Sequence, residues 1–378
     1  MRKAAFVFLA AIFVLSLVAC GGDPSPDGSS SAPSVSHSVE STVSLPESDA
    51  PSQTTATTTA ASATTASRRP IRPPATTAPP STTQNEFERP KTVLVGKEGE
   101  NNVVYQFGEY GLVVREAILD SGRGGDAVEI VQITDAHVAF DITERMNWQT
   151  CLRYAAQYDY TVATGDLIEA LHTDLTNWLK NSLANNPNTM LVLGNHEWNP
   201  TKGTPEEMSD RYALLQEYWP NDVLYSSEVV KNKVMLIQLD NSQSKFHTEQ
   251  IAKLQADLKT AREKGYAVLL FYHLPLRTQN PDEMKVKALL PSNPKIINSY
   301  NFRSGYLRGT ENDATGQIYD IITSNADVIK GAFCGHLHED IYTEIVAKTP
   351  DGQDAVIPQY INHAGRYGNG HVLKITVK

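Results

Sequence analysis

From residue 128 onward the chain repeats one pattern: a run of four to seven mostly apolar positions, a short cluster of Asp, Asn, His and Gly, then a stretch of helical period. The runs at 128–133, 160–163, 190–193, 267–272 and 328–334 predict buried strands. The stretches at 143–157, 171–184 and 248–264 predict helices, the last capped by Thr248. Ahead of them, 103–114 is strand-like with turn residues at Gly108 and Gly111, which predicts a short β preamble. Strands alternating with helices specify α/β layers, and open α/β sheets build their sites at the C-terminal ends of the strands. Every predicted strand here ends in chemically able side chains: Asp135 and His137; Asp166; Asn195 and His196; His273; His336 and His338. The expected fold is a mixed α/β sandwich with outer helices and the site along one edge.

The N-terminal pattern is different. Arg2 and Lys3 precede an apolar run at 4–19 broken only by Ser16, too short to span a bilayer comfortably and typical of an export signal. Its end, Leu17-Val18-Ala19-Cys20-Gly21, resembles the bacterial lipobox, which implies a signal peptide over 1–19 and a lipid anchor on Cys20 in an extracytoplasmic, membrane-attached lipoprotein. From 21 to 86, 45 of 66 residues are Ser, Thr, Pro or Ala with no aromatic residue, so no core can form there. The expected organisation is therefore signal 1–19, tether 20–86 and one folded domain 87–378. A formal charge of −10, from 33 Lys plus Arg against 43 Asp plus Glu, argues against general nucleic-acid binding. Three cysteines cannot build a disulfide scaffold, and Cys151 and Cys334 are expected to be buried free thiols.

The ordered strand ends D-x-H (Asp135, His137), GD (Asp166), GNHE (Asn195, His196), H (His273) and GHLH (His336, His338) resemble the calcineurin-like metallophosphoesterase family over 128–338. The resemblance implies an α/β/β/α sandwich with mixed sheets and outer helices. It further implies that Asp135, His137, Asp166 and His338 hold one metal while Asp166, Asn195, His273 and His336 hold the other, with Asp166 as the bridge. Sending His336 and His338 of GHLH to different metals rests on the resemblance alone. Nitrogen and oxygen donors without thiolate suit two ions of Mn, Fe, Zn or Co better than Mg or Ca. Such a pair implies a bridging hydroxide that attacks phosphorus in line. His196, outside the ligand set, is then the candidate proton donor to the leaving group. Glu169 is its candidate partner, because several branches place Asp three residues after the GD aspartate; Glu169 is one methylene longer. Leu193 stands where phosphoprotein phosphatases carry Arg, which favours the phosphodiesterase and phosphomonoesterase branch.

Between His273 and the last predicted strand, 276–316 is long and polar, a length typical of functional lids. Arg303 and Arg308, with Arg277 and Tyr306, are candidates for gripping substrate oxygens. His363 lies on a Gly-containing turn able to fold back to the site, whereas His172, His247 and His371 read as surface or core histidines. The expected activity is metal-dependent phosphoester hydrolysis at the cell surface. Its rival is a non-catalytic surface-binding module that retains the fold and metals, and a nuclease is disfavoured by the acidic charge.

Overall fold

The computed structural model describes residues 86–88, 91–108, 111–139, 141–198, 205–276, 287–288 and 313–378. All belong to the unit Ala78–Lys378. The expected signal peptide, Cys20, the tether up to 85, and Arg277, Arg303, Tyr306 and Arg308 lie outside the described residues.

The strands in chain order are β1 (Lys91–Val95), β2 (Val104–Phe107), β3 (Val113–Leu119), β4 (Val128–Ile133), β5 (Tyr160–Thr164), β6 (Thr189–Val192), β7 (Tyr225–Val230), β8 (Val234–Leu239), β9 (Ala267–Phe271), β10 (Lys287–Ala288), β11 (Ile329–Cys334), β12 (Ile341–Lys348), β13 (Asp354–Ile361) and β14 (His371–Val377). The helices are α1 (Ile142–Ala155), α2 (Thr173–Ser182), α3 (Asn195–Trp198), α4 (Pro205–Tyr218), α5 (Thr248–Lys264) and α6 (Ala314–Thr323). They build two seven-stranded mixed sheets, in the orders β1-β2-β3-β14-β4-β5-β6 and β10-β12-β13-β11-β9-β8-β7. Within the first, β4, β5 and β6 run parallel; within the second, β8, β9, β11 and β13 do.

Three apolar clusters show why the layers stack as they do. Val128, Ile130, Val162 and Val192 from the first sheet meet Leu236, Leu269, Phe271 and Phe333 from the second, forming the core between sheets. The alternate residues Val131, Ile133 and Leu191 face outward onto Trp148, Leu152, Leu175 and Leu179 of α1 and α2. Ile237, Val268 and Leu270 face Leu254, Leu258, Ile318 and Ile322 of α5 and α6. Strands covered on both faces lose the polar alternation of a surface strand, so β5, β8 and β9 are buried throughout, while β12 alternates. The result is an α/β/β/α sandwich with mixed sheets and outer helices. Each large core side chain stabilises it by about 1.5–3 kcal/mol.

Two details differ from the sequence reading. Helix α5 is capped by His247, whose backbone N–H donates to Gln250 Oε1 at 2.7 Å, and Thr248 is the first helical residue. The final strand β14 inserts between β3 and β4, parallel to the first and antiparallel to the second, so residues near the chain end complete the sheet that carries the first site residues.

Candidate metal centre at the strand ends

Five strands bring their tips together: β4, β5 and β6 from one sheet, β9 and β11 from the other. At three of them, those of β4, β5 and β11, the backbone turns sharply. Asp135, His137, Asp166, His336 and His338 all have left-handed φ, at 50°, 43°, 50°, 70° and 56°. That conformation is costly for residues with a Cβ and is tolerated where surrounding bonds fix it. Here the bonds are Asp135 N–H to Gly165 O at 3.0 Å and His137 N–H to Asp166 O at 2.8 Å. The positive φ at both His336 and His338 supplies the kink that lets near neighbours face different donors. Close approach also dictates the glycines: a Cβ at Gly335 would overlap Thr134 Oγ1 and the Asp135 carboxylate, and one at Gly194 would overlap Asp166.

The donors gather in three groups, of which His137, Glu169 and His196 form one at the rim and the other two share Asp166. Asp135, His137, Asp166 and His338 present ligand atoms within 4.8 Å of one another, and so do Asp166, His273 and His336. In the first, His338 Nε2 is 3.1 Å from Asp135 Oδ1 and 3.1 Å from His137 Nε2. His137 Nε2 is also 3.7 Å from Asp166 Oδ2. In the second, His273 Nε2 lies 3.2 Å from Asp166 Oδ2. Asn195 Oδ1 joins this group at 3.1 Å from His273 Nε2 and 3.0 Å from His336 Nδ1. His273 Nδ1 donates to Thr164 O at 2.8 Å, which fixes the tautomer and leaves Nε2 as the inward atom.

The donor chemistry fits divalent cations. Asp135, Asp166, His137 and His273 are buried, and among the described residues the two aspartates face imidazoles and backbone N–H groups rather than Lys or Arg. Burial would lower the pKa of His273, but the charge of Asp166, its hydrogen bond and the charge of Asp135 outweigh burial and raise it to about 10. Asp166 moves the other way: burial opposes its ionisation, yet His273 and its neighbours keep it well below the usual carboxylate range. His336 is pushed down to about 4, by burial first and then by the charge of His273.

His196 and Glu169 complete the rim, with the Glu169 carboxylate set between His196 and His137. The Glu169 carboxylate bonds His137 Nδ1 at 2.9 Å, while its Oε1 is 3.7 Å from His196 Nδ1. His196 Nδ1 donates instead to the Glu169 backbone carbonyl at 2.8 Å.

Glu197, the last residue of GNHE, was given no role in the sequence reading, yet it organises the site. Its fully buried carboxylate accepts N–H groups from Asp166 (2.8 Å), Leu167 (2.6 Å), Ile168 (3.0 Å) and Gly194 (2.7 Å), tying the tip of β5 to that of β6. Burial and the charge of Asp166 nevertheless raise its pKa to about 7. The signal was a carboxylate inside a run of otherwise explained residues.

The turn after β13 does return to the site. Gly365 N–H donates to Thr134 O at 2.8 Å and Arg366 N–H to Asp135 O at 3.3 Å. His363 stacks on His371 at 4.8 Å, and it is Tyr367 that meets the His338 ring, edge to face at 6.0 Å. His371, expected as a bland histidine, pairs with buried Asp340 at 2.9 Å. His172 caps α2 by accepting from Asp174 N–H at 3.2 Å. Cys151 and Cys334 are free and buried, and burial pushes the Cys151 thiol up to about 12.

A family model described as calcineurin-like phosphoesterase matches residues 128–340. Solved structures similar to this chain include a dimetal phosphatase from Danio rerio, 13% identical over 63% of this chain and 88% of that one, with a TM-score of 0.38. Others are a putative 5′-nucleotidase from Staphylococcus aureus (13%, 62% and 54%, 0.35) and the NAD nucleotidase of Haemophilus influenzae (14%, 64% and 46%, 0.35). The match thus spans about half of each nucleotidase chain. No curated protein sequence matches the chain.

Proposed function

The chain belongs to the calcineurin-like phosphoesterase family, and from that premise we propose that it is a binuclear metal-dependent hydrolase of phosphate monoesters or diesters, held at the cell surface. The observation that carries the reading is the position of Asp166, whose carboxylate is common to two of the donor groups. Asp135, His137 and His338 would complete one cation site and Asn195, His273 and His336 the other, for ions of Mn, Fe, Zn or Co. Bound there, the cations supply Lewis acidity towards a phosphoryl group and lower the pKa of water.

The chain's own groups do the rest. Thr164 O and the Glu169 carboxylate orient His273 and His137 through their Nδ1 atoms. A carbonyl only accepts, so His196 Nδ1 carries a proton whether the ring is neutral or charged, and Nε2 is where a mobile proton resides. With a side chain 26% exposed, His196 has access to solvent and can pass that proton to a departing ester oxygen. Attachment through a lipid on Cys20 is supported by the N-terminal pattern; fatty-acid labelling of the chain should disappear in Cys20→Ser.

Full-length protein loaded with manganese should turn over a chromogenic monoester or diester, and should lose that activity with a chelator and in His273→Ala. Manganese binding without hydrolysis of a broad phosphoester panel would instead favour a non-catalytic surface-binding module.

A further inference from the structure

We propose that Tyr367 forms a specificity subsite beside the metal centre, a platform for a flat aromatic ring carried by the phosphoester; this deepens the hydrolytic reading and rests on it. Tyr367 is the one exposed aromatic ring among the described residues, 50% accessible. It is also fixed in place. Its turn is tied to the site by the bonds to Thr134 and Asp135, to α1 by Asn147 Nδ2 donating to Arg366 O at 2.7 Å, and to itself by Gly370 N–H donating to Tyr367 O at 3.1 Å.

The ring stands edge to face with His338 at 6.0 Å and with His363 at 5.5 Å, and the Arg366 guanidinium lies 5.9 Å from its centroid. Arg366 is itself held by Glu144 at 3.1 Å and lies 3.5 Å from Glu169. With two carboxylates beside it, that guanidinium is a poor receptor for another anion and a good support for the tyrosine. What the turn offers a substrate is therefore π surface next to a metal-site histidine. A second ring laid on it gains offset-stacked or edge contact and loses exposed apolar area.

The test is calorimetric binding of phenylphosphonate and methylphosphonate to manganese-loaded full-length protein. Wild type should prefer the phenyl compound by about tenfold, a ratio set by typical aromatic pair energies. Tyr367→Phe should keep the preference. Tyr367→Leu should erase it while methylphosphonate affinity and manganese content stay within about twofold. A preference that survives in Tyr367→Leu, or equal weakening of both phosphonates there, would overturn the proposal, the latter assigning the ring a merely structural role under His338. Turnover of phenyl phosphate and adenosine 5′-monophosphate then separates a ring joined directly to the ester oxygen from one joined through a sugar, by which KM rises in Tyr367→Leu. If no ester is hydrolysed but the phosphonate preference follows the ring, the hydrolytic reading falls and the subsite stands.

Discussion

Asp340 follows His338 by two residues, yet the two side chains belong to buried clusters that balance charge in opposite ways. Around Asp340 the compensation is internal. Arg115, fully buried, lies 3.6 Å from Asp340 Oδ1, and His371 Nε2 lies 2.9 Å from Oδ2. The Arg115 guanidinium is further satisfied by Ile361 O at 2.8 Å, Ile341 O at 3.1 Å and Asn102 Oδ1 at 2.8 Å. Around Asp135 and Asp166 there is no Lys or Arg among the described residues, only imidazoles, whose charge comes from a proton that a metal ion can displace. The same residue types therefore lock the fold in one place and leave an unmet demand for positive charge in the other. A self-compensated cluster holds strands together; an uncompensated one is suited to take up ions.

The sharpest break of that contrast is Asp166→Asn. Losing the shared carboxylate should cut turnover by roughly a thousandfold and deplete bound manganese. The metal-free variant should still melt within about 3 °C of metal-free wild type. Arg115→Met should do the reverse. Removing one partner of a buried pair costs about 3–5 kcal/mol, read as a lower urea midpoint, and adding Asp340→Asn should recover part of it.

Glu169→Gln tests the rim carboxylate. If it orients His137, manganese affinity should fall by about 10- to 100-fold with little change in melting, measured by calorimetric titration. The smallest effect is in pH. Burial opposes ionisation of Asp340, but His371 and Arg115 hold its pKa down at about 2, below its ordinary 3.8. A depressed carboxylate stabilises the fold above its unfolded pKa and loses that contribution as pH falls through the folded value, so about 2 kcal/mol should disappear between pH 4 and pH 2. Urea unfolding of wild type across that range should show the loss, and Asp340→Asn should lose about 2 kcal/mol less than wild type.

Much of this was legible beforehand because it is local. Apolar runs bounded by polar turns announced β4, β5, β6, β9 and β11 within a residue or two, and helices α1, α2 and α5 nearly as closely. What escaped was non-local or depended on reach. The period of β14 gave no indication that it would enter the middle of a sheet, since strand order depends on partners more than two hundred positions away. The sequence pattern paired Glu169 with His196; that its carboxylate also bonds His137 Nδ1 at 2.9 Å depended on the fold. Arg303 and Arg308 lie outside the described residues; among the described ones Arg366, from the turn after β13, stands beside the site at 3.5 Å from Glu169.

The sequence by itself determined which donors exist, in what order, and that each sits at the end of a buried strand, because periodicity and turn chemistry act over a few residues. Only the tertiary structure decided which donors share Asp166, that His336 and His338 part company at a left-handed kink, and that Glu197 ties two tips together. Those outcomes depend on the register of two sheets and on distances of an ångström or less, which no short stretch of chain encodes.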